Sequence, residues 1–226
     1  MKSLCIDTSA GSSVAVCHGE EVLARRHSAD PRKHAELLAP MVQQALEAAK
    51  VTVADLDAVI VGTGPAPYTG LRAGIITAQM FARATGLPLY GISPLTALAR
   101  QVLDLHPQAT VLVATDARRR EVYFAVCRAA GEDDVRTLAG PEVGRAEVAA
   151  EIAAEWGATV VVGAGAELYS QVLPPTPGVP QQLDVAAFPR VVTARLAAGR
   201  GDDLAVAPRY LRRPDVSVPQ AAKRVT

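Results

Sequence analysis

The stretch that most constrains this 226-residue chain is 57–75, DAVIVGTGPAPYTGLRAGI. It opens with Ala58-Val59-Ile60-Val61, which has the length and β-branching of a buried strand. Gly62-Thr63-Gly64-Pro65-Ala66-Pro67 then interrupts any regular element, because Gly and Pro punctuate both helix and strand. Beyond Thr69-Gly70, the residues Leu71, Ile75, Ala78, Gln79 and Ala82 recur at helical spacing as far as Thr85-Gly86. A buried strand, a tight loop and a helix N-terminus in succession predict a βα unit. Such a loop can aim backbone N–H groups and the positive helix end at an anion. A plain βα turn is the other reading, since neither the Gly-Lys-Ser/Thr ending of a P-loop nor G-x-G-x-x-G is present.

Composition narrows the classes. Half the residues are hydrophobic, enough for a sizeable core in one large domain or two small lobes. Lysine plus arginine and aspartate plus glutamate both number 23, so bulk charge does not draw the chain to nucleic acid or anionic membrane, although a local basic patch stays open. No apolar run approaches the roughly 20 residues of a membrane span, and the first residues reach Asp7 at once, unlike a signal peptide. The three cysteines, Cys5, Cys17 and Cys127, lie in strand-like runs without C-x-x-C spacing. Buried, reduced thiols in a cytoplasmic protein are the expectation.

Along the chain, residues 4–8, 13–18 and 21–27 read as three successive strands, with Asp7-Thr8-Ser9 at the end of the first. These side chains either cap a turn or face a phosphate or metal. Residues 31–49 form a helix opened by Pro31, its apolar face carrying Leu38, Val42, Ala45 and Leu46 and widened by Leu37 and Met41. A face that wide either covers core or meets a partner. Thr52-x-x-Asp55 resembles a capping box. A strand at 88–92 and a helix from Ser93-Pro94 to about 105 complete a βββαβαβα order. A strand from 110 ends in Asp116, Arg118-Arg119-Arg120 follow, and residues 121–128 alternate as another strand. This repeat of a strand ending in an acid suggests internal duplication. Residues 130–140 read as polar hairpin, 145–156 as helix, and 160–166 as a strand running into a small-residue loop. A Pro-rich linker at 174–180, a helix at 185–198 and an extended tail through Pro214 follow. The halves 1–105 and 106–226 are the expected lobes, with the tail packing back on the first.

Asp7-Thr8-Ser9 with Ser13-Val14-Ala15-Val16 resembles the first phosphate-loop motif of the actin, Hsp70 and sugar-kinase (ASKHA) superfamily. The motif Gly62-x-Gly64-Pro65-x-x-Tyr68-Thr69-Gly70-Leu71-Arg72-x-Gly74, followed by Asp116-Ala117-Arg118-Arg119-x-Glu121-Val122-Tyr123 and Tyr210-Leu211-Arg212-Arg213-Pro214, is similar to one branch of it. That branch is the TsaB (YeaZ) family, the dimerisation subunit of the bacterial machinery that makes threonylcarbamoyladenosine in tRNA. Ala66, Pro67 and Tyr68 depart from that family's usual Gly, Ser and Phe. The substitutions remove the permissive φ of Gly and one backbone donor, which favours a structural role for the loop.

The resemblance implies a duplicated, two-lobed α/β fold and an accessory subunit without catalysis of its own. It implies a heterodimer with the paralogue TsaD, a homodimer when alone, the TsaE ATPase in the larger complex, indirect contact with tRNA, and no membrane. The catalytic paralogue carries a His-x-x-x-His metal pair, whose positions fall here on Pro94 and Leu98, so no metal is expected. ATP or ADP and Mg belong to the complex as a whole. The implied partner surface comprises His34, Leu37, Leu38, Met41, Val42, Ala45 and Leu46 of one helix with Ile75, Ile76, Gln79 and Met80 of the next; the residues alone read His34 as structural. Candidate nucleotide or phosphate loops are Asp7, Thr8, Ser9, Gly62, Gly64 and Asp116. Arg118, Arg119 and Arg120 are candidates for tRNA phosphate or a partner's acids, with a solvated turn as the alternative. The competing function is an independent ATP-dependent small-molecule kinase or hydrolase using Asp7 and Asp116. A metal-dependent glycoprotease fits worst, for want of ligands.

Overall fold

A computed structural model describes residues 1–30 and 33–212. Pro31, the expected helix opener, and Arg213-Pro214 of the tail motif lie outside the described residues. Strands β1 (Lys2–Asp7), β2 (Ser12–His18) and β3 (Glu21–Ser28) form an antiparallel meander. Helix α1 (His34–Ala49) leads through a 3-10 turn at Val53–Asp55 into β4 (Ala58–Gly62). Thr52 and Asp55 close the capping box reciprocally at the start of that turn. Helix α2 (Tyr68–Thr85), ended by Gly86 in the left-handed conformation, precedes β5 (Leu89–Ile92). The first sheet has the order β3-β2-β1-β4-β5, with β4 parallel to both neighbours.

The second half repeats this plan in shorter form. Strands β6 (Val111–Asp116), β7 (Val122–Ala130), β8 (Asp134–Gly144) and β9 (Val160–Val162) form a sheet of order β8-β7-β6-β9, which superimposes in sequence order on β3-β2-β1-β4. Helix α4 (Ala146–Glu155) sits between β8 and β9. Three expectations are corrected. The polar hairpin expected over 130–140 forms, turning at 131–133, but its second arm runs on as the eleven-residue strand β8, whose pairing with β7 shifts register twice. The small-residue loop after β9 coils into the short helix α5 (Ala164–Leu168). The described part of the second repeat has no counterpart of β5, so its order is not the full βββαβαβα.

Each sheet is covered on both faces, which is why its central strands read as unbroken apolar runs rather than alternating ones. Period two divides each strand between two cores. In β1, Leu4 and Ile6 pack under α1 and α2. Cys5 points to the opposite face, beneath a 3-10 turn at Val185–Ala187 and helix α6 (Phe188–Ala197). In β6, Val111 and Val113 face helix α3 (Pro94–Leu103), while Leu112 and Ala114 face α4 and α5. Sequence halves and packed layers therefore part company at two helices. Helix α3, on the first side of the 105/106 boundary, packs on the second sheet, and α6 returns to cover the first. Buried Asp134 anchors this exchange by accepting from Arg195 Nε at 3.0 Å and Arg200 Nη1 at 2.7 Å. Beyond α6 the strap 205–212 runs along the first lobe, where the Arg209 N–H donates to the Thr63 carbonyl at 2.8 Å. It ends with Arg212 donating to the Ala117 carbonyl at 2.9 Å and pairing with Glu121.

Candidate functional site: the cleft between the sheets

Duplication places the ends of β1 and β6, and hence Asp7 and Asp116, on one cleft. Its volume is about 440 Å³, and Asp7, Thr8, Ser9, Tyr68, Asp116 and Arg118 are among the residues lining it. Asp7 is buried, and burial raises its carboxyl above the ordinary 3.8. Two Ser9 donors work against that shift, the N–H at 2.9 Å and the hydroxyl at 2.5 Å, both to Oδ1. Arg118 engages Asp116, its N–H donating to Oδ1 at 2.7 Å and its Nη1 lying 3.2 Å from Oδ2. Both acids are thus occupied by their own turns.

Between β6 and β7 the backbone does something unusual. Arg118, Arg119 and Arg120 have φ of 62°, 53° and 64°, three successive non-glycine residues in the left-handed region. Each costs about 1–2 kcal/mol relative to the right-handed region. The surroundings over-determine the turn: Glu121 N–H donates to the Arg118 carbonyl, Ala117 N–H to the Glu121 carbonyl, and Arg212 holds both Ala117 and Glu121. Of the three arginines only Arg118 lines the cleft.

The glycines of the 57–75 stretch prove to be spacers. Gly62 and Gly64 do not line the cleft, which corrects their expected place in a phosphate loop. A Cβ on Gly62 would stand 2.0 Å from Asp7 Oδ2, and one on Gly74 2.3 Å from Thr8 Oγ1. The Thr8 hydroxyl donates to the Gly70 carbonyl at 2.8 Å. The motif therefore lets β4 and α2 press against Asp7-Thr8 instead of opening a cradle for phosphate.

The expected partner surface divides. Leu38, Met41, Val42 and Ala45 are buried in the core shared with β1, β2 and β4, and Ile75 joins them from α2. They are removed from the partner surface, because that apolar stripe is spent on covering the chain's own sheet. His34 is corrected likewise. It is buried, its Nδ1 lies 2.8 Å from the Ser12 hydroxyl, and burial lowers its pKa below 6.5, with Asp30 opposing. Leu37 and Leu46 are half-buried, and Gln79 is exposed. Ile76 and Met80 are 55% and 63% exposed, one helical turn apart on the outer face of α2.

Several cleft residues carried no sequence signal. His27, whose Nδ1 is 2.9 Å from the Ser13 hydroxyl, lines the cleft, as do Gln181 and Gln182 from the stretch read as linker and its margin. Pro94 and Leu98 line it too, one turn apart on α3, at the positions the resemblance assigns to a metal pair. Neither offers a donor atom, so the metal of the catalytic paralogue does not fit here. Among the described residues, no group of three or more His, Cys, Asp or Glu is placed to hold a metal ion.

Two sheets of matching topology, each with an acid at the end of its first strand and a cleft between, define the two-lobed actin/Hsp70/sugar-kinase class of fold. Comparison with known proteins narrows the class. The family model for TsaD, described as tRNA N6-adenosine threonylcarbamoyltransferase, matches residues 22–174, more than half the chain. The chain belongs to this family. An uncharacterised protein of Mycobacterium tuberculosis is 40% identical over 224 residues, covering 94% of this chain and 92% of the relative. The tRNA threonylcarbamoyladenosine biosynthesis protein TsaB of Escherichia coli is 34% identical over 125 residues, 55% of this chain and 54% of TsaB. The structure of YeaZ from Pseudomonas aeruginosa matches with a TM-score of 0.76 at 28% identity, covering 93% of this chain and 99% of that one. Among the described residues no helix is long and apolar enough to cross a membrane.

Proposed function

We propose that this chain is a non-catalytic subunit of the machinery that makes threonylcarbamoyladenosine in tRNA. In this reading it pairs with a TsaD protein in the cytoplasm, supports transfer of the threonylcarbamoyl group to a tRNA adenosine, and homodimerises when alone. TsaE is a further component of the assembly, and contact with tRNA is indirect. The observation that carries the reading is chemical. In a family described by a transferase, Pro94 and Leu98 stand in the cleft where the metal pair would be needed. The TsaB relatives support the pathway. Ile76 and Met80, with Gln79 beside them, supply an exposed apolar stripe on α2 suited to the centre of a helical interface. The test is light scattering after gel filtration, on this chain alone and mixed with TsaD from the same source. Ile76→Glu with Met80→Glu removes the mixed complex while the circular dichroism spectrum and melting temperature stay those of the parent. An undiminished complex refutes this surface, and absence of any complex with the parent chain refutes the pairing.

A further inference from the structure

A second cavity, of about 720 Å³, lies around the same helix start but on another side of it. Pro94 and Leu98 of α3 face the cleft described above, whereas Ser93 and Thr96 line this cavity. Nothing in the scaffold reading uses it.

Its lining is built for an anion. Arg136, Arg195, Arg200 and Arg209 all border it, together with Asp202 and Asp203. Arg195 is held by Asp134, and Arg200 is shared between Asp134 and Asp203. The guanidinium groups of Arg136 and Arg209 have no ion-pair partner among the described residues, and both residues are exposed. Set against Asp134, Asp202 and Asp203, the four arginines leave one positive charge over. Two hydroxyl-bearing residues, Thr63 and Thr96, also line it. Thr63 and Thr96 are 4% and 6% exposed, and neither hydroxyl has a hydrogen-bond partner among the described residues. The ten-residue helix α3 adds its positive end: Pro94 brings no N–H, Ser93 makes no side-chain cap, and the first intrahelical bond is Ala97 N–H to the Ser93 carbonyl.

We propose that this cavity binds a phosphate monoester of nucleotide size. The phosphate sits at the start of α3, taking the hydroxyls of Thr63 and Thr96, and Arg136 and Arg209 close over it. A phosphate ester is the class that uses a helix end, hydroxyl donors and free guanidinium groups together. The volume lies within the roughly 300–1,000 Å³ of small-molecule sites, leaving space for an organic group as well as the phosphate. Arg209 belongs to the strap that bonds to Thr63, so the ligand would also brace the strap on the first lobe.

The experiment is amide chemical-shift mapping on the full chain, with AMP as probe and inorganic phosphate as comparator. AMP is expected to move the amides of Thr63, Leu95, Thr96 and Thr137, and phosphate alone to bind more weakly. Arg136→Ala with Arg209→Ala is expected to weaken AMP by at least about tenfold at unchanged melting temperature. The nearly isosteric Thr63→Val weakens it as well, while Asp116→Asn, in the other cleft, leaves it unchanged. Shifts confined to residues 7–9 and 115–118, an unaltered affinity in the arginine double variant, or no shift at millimolar AMP would each overturn the proposal. Equal affinity for phosphate and AMP would overturn its ester component.

Discussion

Substituting Gly62 by Ala tests most directly what the conspicuous loop is for. The new Cβ would lie 2.0 Å from Asp7 Oδ2 and 3.1 Å from its Cγ, so the carboxylate must move. It has little room to do so, because Oδ1 is fastened by the Ser9 N–H and hydroxyl and the residue is buried. Overpacking of this kind costs about 1–3 kcal/mol. A weakened Ser9 contact would add about 1 kcal/mol, and the stiffer unfolded chain of Ala returns about 0.4–1 kcal/mol. The net loss is therefore about 1–3.5 kcal/mol, read from urea unfolding of the ligand-free protein. Asp7→Ala removes the obstructing group, so Gly62→Ala in that background keeps only the unfolded-chain gain and should be neutral to slightly stabilising, giving a coupling of about 2–4 kcal/mol. If the two substitutions add to within about 0.5 kcal/mol, Gly62 is not a spacer for Asp7 and the argument fails.

Two other outcomes follow from burial. Leu38→Ala should destabilise by about 2–5 kcal/mol, whereas Ile76→Ala should cost less than about 0.5 kcal/mol, measured as unfolding midpoints; the reverse order would place the partner surface on α1 after all. Asp7→Asn should raise stability at neutral pH. Burial raises the carboxyl above 3.8, so the folded state holds this proton more tightly than the unfolded chain. The parent therefore loses stability as pH climbs from 3.8 through the raised value, and the Asn variant does not. Its advantage should be present at neutral pH and vanish towards pH 3.8; a constant difference at every pH would show that the cause is packing rather than charge.

The sequence by itself determined the local elements and the places where chemistry concentrates. Short β-branched runs bounded by turn residues specified β1 to β4, helical spacing specified α1 and α2, and strands ending in Asp7 and Asp116 announced the duplication. These are decided by neighbours along the chain, which sequence displays. The full length of β8 was hidden because Gly140 and Pro141 sit inside it, residues that usually end strands but here fall where its register with β7 shifts. Only the tertiary structure decided which surface faces what. Ile75 and Ile76 are adjacent and equally apolar, yet about 100° apart around α2, so one enters the core and the other meets solvent. Periodicity reports a stripe without saying whether the chain's own sheet or a partner will cover it. Gly62 and Gly74, too, had a meaning that no spacing rule holds, because the groups they make room for, Asp7 and Thr8, lie more than fifty residues away. The exchange of α3 and α6 between the two sheets rests on equally long-range contacts.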